Sequence, residues 1–172
     1  MKFSHYENIK IVKYYWIENT DYGYISAVEE NEILIRVFLP QKEKIKFSEE
    51  GFEIRQTPLL REFLKSMSSY FNNGKFCDFS VYPVRLPTSP FRRKVYRFLK
   101  ENVKWGKVLT YKELAKLTGF PRAARAVGNA LSLNETPLVV PCHRVISKNG
   151  PGGFSGGLRL KKIMLRIEGV KI

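Results

Sequence analysis

The first part of the chain alternates short apolar and aromatic runs with turn-forming residues. Apolar runs occupy residues 9–17, 22–28 and 32–39, and they are rich in the Ile, Val, Tyr, Phe and Trp residues that favour β-strands. The turn-forming segments 21–23 and 29–31 separate these runs. The pattern predicts an antiparallel meander or a set of hairpins.

Helical spacing follows the predicted strands. Apolar residues recur at intervals of three and four from Pro58 to Phe71, which predicts a helix that Asn72-Asn73-Gly74 ends. A further short strand is predicted over residues 79–84. Cys77 and His5 are isolated potential ligands, too few for a zinc site. This half is therefore predicted to be a scaffold.

A proline-rich connector at residues 83–90 divides the chain into predicted domains of residues 1–83 and 84–172. Beyond the connector the pattern becomes helical. Ser89 is expected to cap a helix with Pro90 at its first position. The fold class is therefore predicted to be α+β, with a sheet and a helix first and a mostly helical domain second.

Two short helices around Gly119 are typical of a helix–turn–helix. Thr110-Tyr111-Lys112-Glu113 is a capping box that opens the first helix. The second helix follows Pro121, and its small residues would let the backbone approach DNA closely, with Arg122 and Arg125 on an otherwise small face. The alternative is a helical hairpin that packs for structural reasons alone.

The distribution of charge favours the DNA-binding alternative. The chain of 172 residues has a net charge of +14. Residues 1–83 carry 11 Lys and Arg against 12 Asp and Glu, whereas residues 84–172 carry 19 against 4. A surface this basic attracts polyanions, because each neutralised phosphate releases condensed counterions. Basic halves also occur in proteins that merely need solubility.

Composition excludes several other classes of protein. A hydrophobic content of 44% is too high for a disordered chain. No run of about 18 apolar residues could span a membrane, and the N-terminal segment MKFSHYENIK lacks the features of a signal peptide. Two cysteines are too few for a disulfide scaffold. We expect a cytoplasmic protein.

Cys142 interrupts the apolar run LVVPCHRVI. A cysteine in such a run is most often a small core residue. Here Pro141 bends the chain, and His143 and Arg144 bring a base and a permanent cation beside the thiol, which would favour the thiolate. Cys142 is therefore a candidate nucleophile.

A glycine-rich segment at residues 150–157 and a final helix complete the pattern. The segment lacks the Gly-Lys-Ser/Thr ending of a phosphate-binding loop. It is either a flexible connector or a loop whose bare backbone packs against a flat ligand. A helix is predicted over Leu158–Ile167 and ends at Glu168. Its inward-facing residues are predicted to be Leu160, Ile163, Met164 and Ile167.

Together these motifs resemble the O6-alkylguanine-DNA alkyltransferases, or methylated-DNA–protein-cysteine methyltransferases. The resemblance rests on Pro141–Val145, preceded by Arg122–Gly128 and followed by Phe154–Gly157 and Ile167–Gly169. It implies a ribonuclease-H-like sheet and helix in the first domain and a winged-helix-like second domain. It also implies a monomer that flips O6-alkylguanine, chiefly O6-methylguanine, out of duplex DNA through the minor groove. The alkyl group would pass irreversibly to the protein's own cysteine, with no metal or other cofactor.

The resemblance also implies roles for individual residues in the chemistry. Cys142 would accept the alkyl group, and His143 would act as its base through a bound water. Glu168 would orient the imidazole, and Asn134 would support the active-site turn. Tyr111 would donate its hydroxyl to the guanine ring and crowd the phosphate that must rotate.

The remaining implied roles concern the substrate and the DNA. The substrate-binding residues would be Tyr111, Val145, Phe154, Ser155 and Gly156. Arg125 would fill the space that the flipped base leaves. The DNA-binding residues would be Arg92, Tyr111, Lys112, Arg122, Ala123, Ala124, Arg125, Gly128 and Lys148.

Phe154 stands where many members of the family carry a tyrosine, so the wall of the pocket is expected to be purely hydrophobic there. The loop before it is one residue shorter than in some members. Two other functions are open. One is a non-catalytic helix–turn–helix module that binds DNA lesions or regulates transcription. The other is a cysteine hydrolase using Cys142 and His143, which leaves the basic half unexplained.

Overall fold

The structure is a computed structural model that describes residues 12–47 and 51–172. Its first part is a four-stranded sheet in the order β3-β2-β1-β4. The strands are β1 (Lys13–Thr20), β2 (Gly23–Glu30), β3 (Ile33–Gln41) and β4 (Phe52–Ile54). The predicted antiparallel meander is confirmed for β1, β2 and β3. Strand β4 was not predicted, and it pairs parallel to β1. His5 and residues 9–11 of the first predicted strand lie outside the described residues.

Helix α1 (Pro58–Asn73) packs against β1 and β2. The side chain of Thr57 caps its first turn by accepting a hydrogen bond from the backbone N–H of Leu60. Gly74 ends the helix with φ of 59°, a left-handed conformation that glycine adopts without strain. The core between helix and sheet includes the buried residues Ile25, Ala27, Leu60, Phe63, Leu64, Met67 and Tyr70.

The strand predicted over residues 79–84 is wrong. The side chain of Asp78 accepts hydrogen bonds from the backbone N–H and the hydroxyl of Ser80, and these bonds curl Phe79–Val81 into one 3₁₀ turn. The apolar run then extends only far enough for a single parallel bridge between Val84 and Leu34.

The second part of the chain is mostly helical, as predicted. Its helices are α2 (Pro90–Asn102), α3 (Tyr111–Leu117), α4 (Ala124–Ser132) and α5 (Leu158–Ile167), and its strands β5 (Leu109–Thr110) and β6 (Val145–Ile146) pair in parallel. Thr110 and Glu113 form the predicted capping box at the start of α3. Ser89 occupies the cap position of α2, but its side chain makes no capping hydrogen bond. Arg122 and Ala123 lie in the turn before α4 rather than on it.

Two clusters of buried apolar residues hold the fold together. One lies among α2, α3 and α4. The other lies between the sheet and α1, and it also contains Leu138, Val139 and Met164 from the second part of the chain. The division into domains at residues 83–90 stays a prediction. Within the described ranges, no helix combines the length and the apolar character needed to cross a membrane.

Candidate active site

Cys142 begins a one-turn 3₁₀ helix that ends at Arg144. Its thiol is buried and accepts a hydrogen bond of 3.0 Å from Nδ2 of Asn134. The same amide nitrogen donates to the carbonyl of Val140 at 2.9 Å. Just upstream, Leu138 is buried with φ of 73°, a strained conformation for a residue other than glycine. Asn134 therefore ties the thiol to a tight and strained turn.

His143 and Glu168 form a buried pair behind Cys142. Nε2 of His143 lies 2.8 Å from Oε1 of Glu168. Arg144 donates to both oxygens of the same carboxylate, from Nε at 2.8 Å and from Nη2 at 2.9 Å. Burial would raise the pKa of Glu168, but the bonds and charges of His143 and Arg144 outweigh it and lower the pKa to about 2. The carboxylate is therefore ionised at neutral pH.

The sequence interpretation placed the cation of Arg144 beside the thiol, and this placement is wrong. The guanidinium turns away from Cys142, toward Glu168 and the carbonyl of Val103. Burial raises the pKa of the Cys142 thiol and lowers the pKa of His143. The resting site therefore holds a protonated thiol next to a neutral imidazole.

Lys161 is a buried ammonium that the sequence analysis missed. It lies on α5, is fully buried, and donates from Nζ to the carbonyl of Val145 at 2.6 Å and to that of Gly153 at 3.1 Å. Burial lowers its pKa to about 8, against the opposing effect of Cys142. The positive charge in turn lowers the pKa of Cys142. The cation that assists the thiol is thus Lys161 rather than Arg144.

The buried face of α5 matches the predicted one only in part, and Met164 belongs to both. Its fully buried residues are Lys161, Met164 and Leu165. These positions and Glu168 repeat at intervals of three and four, so they share one face of the helix. The predicted residues Leu160 and Ile167 border this face and are half-buried against the core. The charge of Lys161 interrupts the apolar pattern of the fully buried face.

A cavity of about 380 Å³ opens onto the thiol. Its size is in the range of small-molecule sites, which is roughly 300–1,000 Å³. Among the predicted site residues, it is lined by Tyr111, Gly128, Cys142, Phe154 and Ser155. The lining also includes Leu131, Ser132 and Gly153, which sequence reasoning did not single out.

Tyr111 and Phe154 form aromatic walls of this cavity. The hydroxyl of Tyr111 donates to the carbonyl of Gly153 at 3.2 Å, and Nζ of Lys161 lies about 6 Å from the centres of both rings. A side chain in place of Gly152 or Gly156 would press on one of these rings. A Cβ atom at Gly152 would lie 2.9 Å from Tyr111, and one at Gly156 would lie 2.9 Å from Phe154. The glycine-rich segment therefore packs closely against both rings, and its Gly153 lines the cavity.

Val145 and Gly156 border the cavity without lining it. Val145 is fully buried, and its carbonyl already accepts the hydrogen bond from Lys161. The role of Val145 in binding the substrate stays a prediction. No group of three or more His, Cys, Asp and Glu side chains in the described part of the chain could hold a metal ion.

The residues predicted to bind DNA are exposed or half-buried. Arg125 projects from α4, and Arg122 projects from the turn before it. The arginines and lysines among these predicted DNA-binding residues form no ion pair with another described residue. The full set is Arg92, Tyr111, Lys112, Arg122, Ala123, Ala124, Arg125, Gly128 and Lys148. Two members of this set, Gly128 and Tyr111, also line the cavity.

Comparison with known proteins gives the family. The family described as "6-O-methylguanine DNA methyltransferase, DNA binding domain" matches residues 90–170. The methylated-DNA–protein-cysteine methyltransferase of Saccharolobus solfataricus is 46% identical over 111 residues, which are 64% of this chain and 70% of that protein. The chain belongs to this family. The protein of the same name from Metallosphaera sedula is 48% identical over 105 residues, which are 61% of this chain and 65% of that protein. The chain thus spans a little under two thirds of the Metallosphaera protein.

Solved structures of the family share the fold over nearly the whole chain. The Mycobacterium tuberculosis protein OGT, solved in complex with DNA, has a TM-score of 0.74 and 26% identity, and the match covers 90% of this chain and 92% of that one. The O6-methylguanine-DNA methyltransferase of Pyrococcus kodakaraensis has a TM-score of 0.70 and 25% identity, with coverage of 92% and 100%. The α+β fold and its similarity to this family, both expected from the sequence, are confirmed.

Proposed function

We propose that this protein repairs O6-alkylguanine, chiefly O6-methylguanine, by moving the alkyl group irreversibly onto Cys142. The observation that carries the proposal is the position of the thiol, which is buried at the end of a ligand-sized cavity and beside a His–Glu pair. Membership of the methyltransferase family supports the same chemistry. The step is a substitution at saturated carbon, in which the sulfur–carbon bond forms as the bond from carbon to guanine O6 breaks.

The thiol must lose its proton during the reaction. Because burial lowers the pKa of His143, its imidazole is neutral at neutral pH and is free to accept this proton. The raised pKa of Cys142 makes the transfer more demanding, which is why the imidazolium that forms needs a stabilising partner. Nε2 of His143 is engaged by Glu168, while Nδ1 is buried and makes no hydrogen bond to the described protein atoms. We assign the proton transfer to Nδ1, through a water between it and the thiol. Glu168 then stabilises the imidazolium that forms.

The target base must leave the duplex to reach the buried thiol, at a cost of a few kcal/mol. We propose that α4 enters the minor groove and that Arg125 fills the vacated stack, which offsets part of that cost. Arg92, Lys112, Arg122 and Lys148 would neutralise DNA phosphates. In the cavity, Tyr111 and Phe154 would enclose the ring, and Ser155 would face guanine O6. The cytoplasmic location and the monomeric state stay predictions.

The experiment compares the two cysteines of the chain. With a duplex carrying one labelled O6-methylguanine, Cys77→Ser should become labelled as the unmodified protein does. Cys142→Ser should bind the duplex but remain unlabelled. Label on Cys142→Ser, or equal losses in the two variants, would contradict the assignment of Cys142 as the acceptor.

A further inference from the structure

The first part of the chain contributes one polar side chain to the network behind Cys142. Tyr70 lies on α1 and is fully buried. Its hydroxyl lies 3.3 Å from Oε1 of Glu168 and 3.1 Å from the carbonyl of Met164. Both acceptors belong to the last turn and the end of α5. One O–H group from α1 therefore faces both the carboxylate that contacts His143 and the helix that carries this carboxylate.

The ring of Tyr70 is held firmly by other aromatic rings. Phe71, Phe79 and Trp105 pack edge-on against it, with ring centres 4.9, 5.7 and 5.5 Å away. Burial and the negative charge of Glu168 raise the pKa of the phenol, so it remains an O–H donor throughout the working pH range. The donor is thus fixed in position and in protonation state.

We propose that Tyr70 is a positioning residue for alkyl transfer, which orients the carboxylate of Glu168 and through it the imidazole of His143. The inference rests on the function proposed above. Oε1 of Glu168 receives three donors, which come from His143, Arg144 and Tyr70. Arg144 and His143 belong to the same short turn as the thiol, so Tyr70 supplies the anchor from another element of the fold.

The pH dependence of transfer separates this role from simple packing. Loss of the donor leaves more negative charge on Glu168, which holds a proton on His143 more tightly. A protonated His143 cannot accept the proton of the thiol, so the acid limb of the rate profile should move to higher pH. The other groups that face this pair are Arg144 and Lys161, and Cys77 lies near the phenol. All three remain unchanged in the variants below.

The test measures single-turnover transfer from the free base O6-benzylguanine across pH. Tyr70→Phe keeps the ring and should lower the rate by about 3- to 10-fold, the factor equivalent to one hydrogen bond, with the acid limb at higher pH. Tyr82→Phe is the matched control, because its hydroxyl also contacts α1, at Ser66 and the carbonyl of Glu62, and has no contact with Glu168. This control should match the unmodified protein.

Two further variants complete the test. In a Glu168→Gln background, Tyr70→Phe should have little further effect on rate, because the carboxylate charge through which Tyr70 acts on His143 is gone. A 3-fluorotyrosine at position 70 keeps the hydroxyl and strengthens it as a donor, so the acid limb should move to lower pH. An unchanged pH profile in both the Tyr70→Phe and the fluorotyrosine proteins would overturn the inference. If the unmodified protein leaves no alkyl group on Cys142, the proposed function fails as well.

Discussion

Glu168→Gln should destabilise the fold as well as slow the chemistry, because this carboxylate holds a buried cation. Arg144 donates two hydrogen bonds to Glu168, and both side chains are almost fully buried. Glutamine keeps the shape but not the charge, so the guanidinium would lose its counter-ion in the interior.

The magnitude follows from the pKa of Glu168. A shift from 4.5 to about 2 makes the ionised side chain worth about 3 kcal/mol of folding free energy. Because the pKa of Glu168 is lower in the folded state than in the unfolded state, its contribution to the free energy of unfolding is fully present above pH 4.5. This contribution is lost as the pH falls toward 2. At about 2–4 °C per kcal/mol, Glu168→Gln should lower the Tm at pH 7 by about 6–12 °C.

The assay is thermal unfolding at pH 7 and pH 3, followed by circular dichroism. Because protonated Glu168 resembles glutamine, the stability difference between the two proteins should fall to about half at pH 3. Glu135→Gln is the control, since Glu135 forms an exposed ion pair with Arg36 and should change stability by less than about 1 kcal/mol. Equal Tm values at pH 7, or a difference that does not change with pH, would refute the assigned role of the carboxylate.

Three other predictions concern the reaction and the DNA. Lys161→Met should slow alkyl transfer in a single-turnover assay by about 10-fold. The effect should be largest below the lysine pKa of about 8 and smaller above it. Lys162 is an exposed neighbour on α5, so Lys162→Met should have no effect in the same assay. Arg125→Ala should slow repair of duplex DNA far more than reaction with free O6-benzylguanine, and equal losses would make Arg125 a structural or pocket residue. Binding to undamaged duplex should weaken steeply with salt and show little sequence preference, whereas a salt slope near zero in titrations would contradict the phosphate contacts.

Local patterns in the sequence predicted much of the fold. The capping box at Thr110 marks the start of α3, and the glycine after α1 marks the end of that helix. Both signals depend on hydrogen bonds within a few residues, so the sequence reveals them without knowledge of the tertiary structure. The apolar run at residues 79–84 predicted a strand, and this prediction was wrong. The hydrogen bonds from Ser80 to Asp78 favour a turn there instead. Strand β4 has only three residues, too few for a periodic signal.

The site could be predicted only where its residues are close in sequence or match the family. Cys142 and His143 stand in one pentapeptide, and their positions follow from it. Tyr70 reaches Glu168 across 98 positions of sequence, and no local pattern encodes such a contact. Lys161 does have a local signal, because its spacing from Met164, Leu165 and Glu168 places a charged residue on the same helical face as two apolar ones.

The central claim is that Cys142 takes one alkyl group and does not release it. The direct measurement is the intact mass of the protein, followed by peptide mapping, after incubation with an excess of duplex containing O6-methylguanine. We predict one added methyl group per chain, located on Cys142, and repaired guanine equal in amount to the protein. Repair of more guanine than there is protein, or a methyl group on any other residue, would contradict the account.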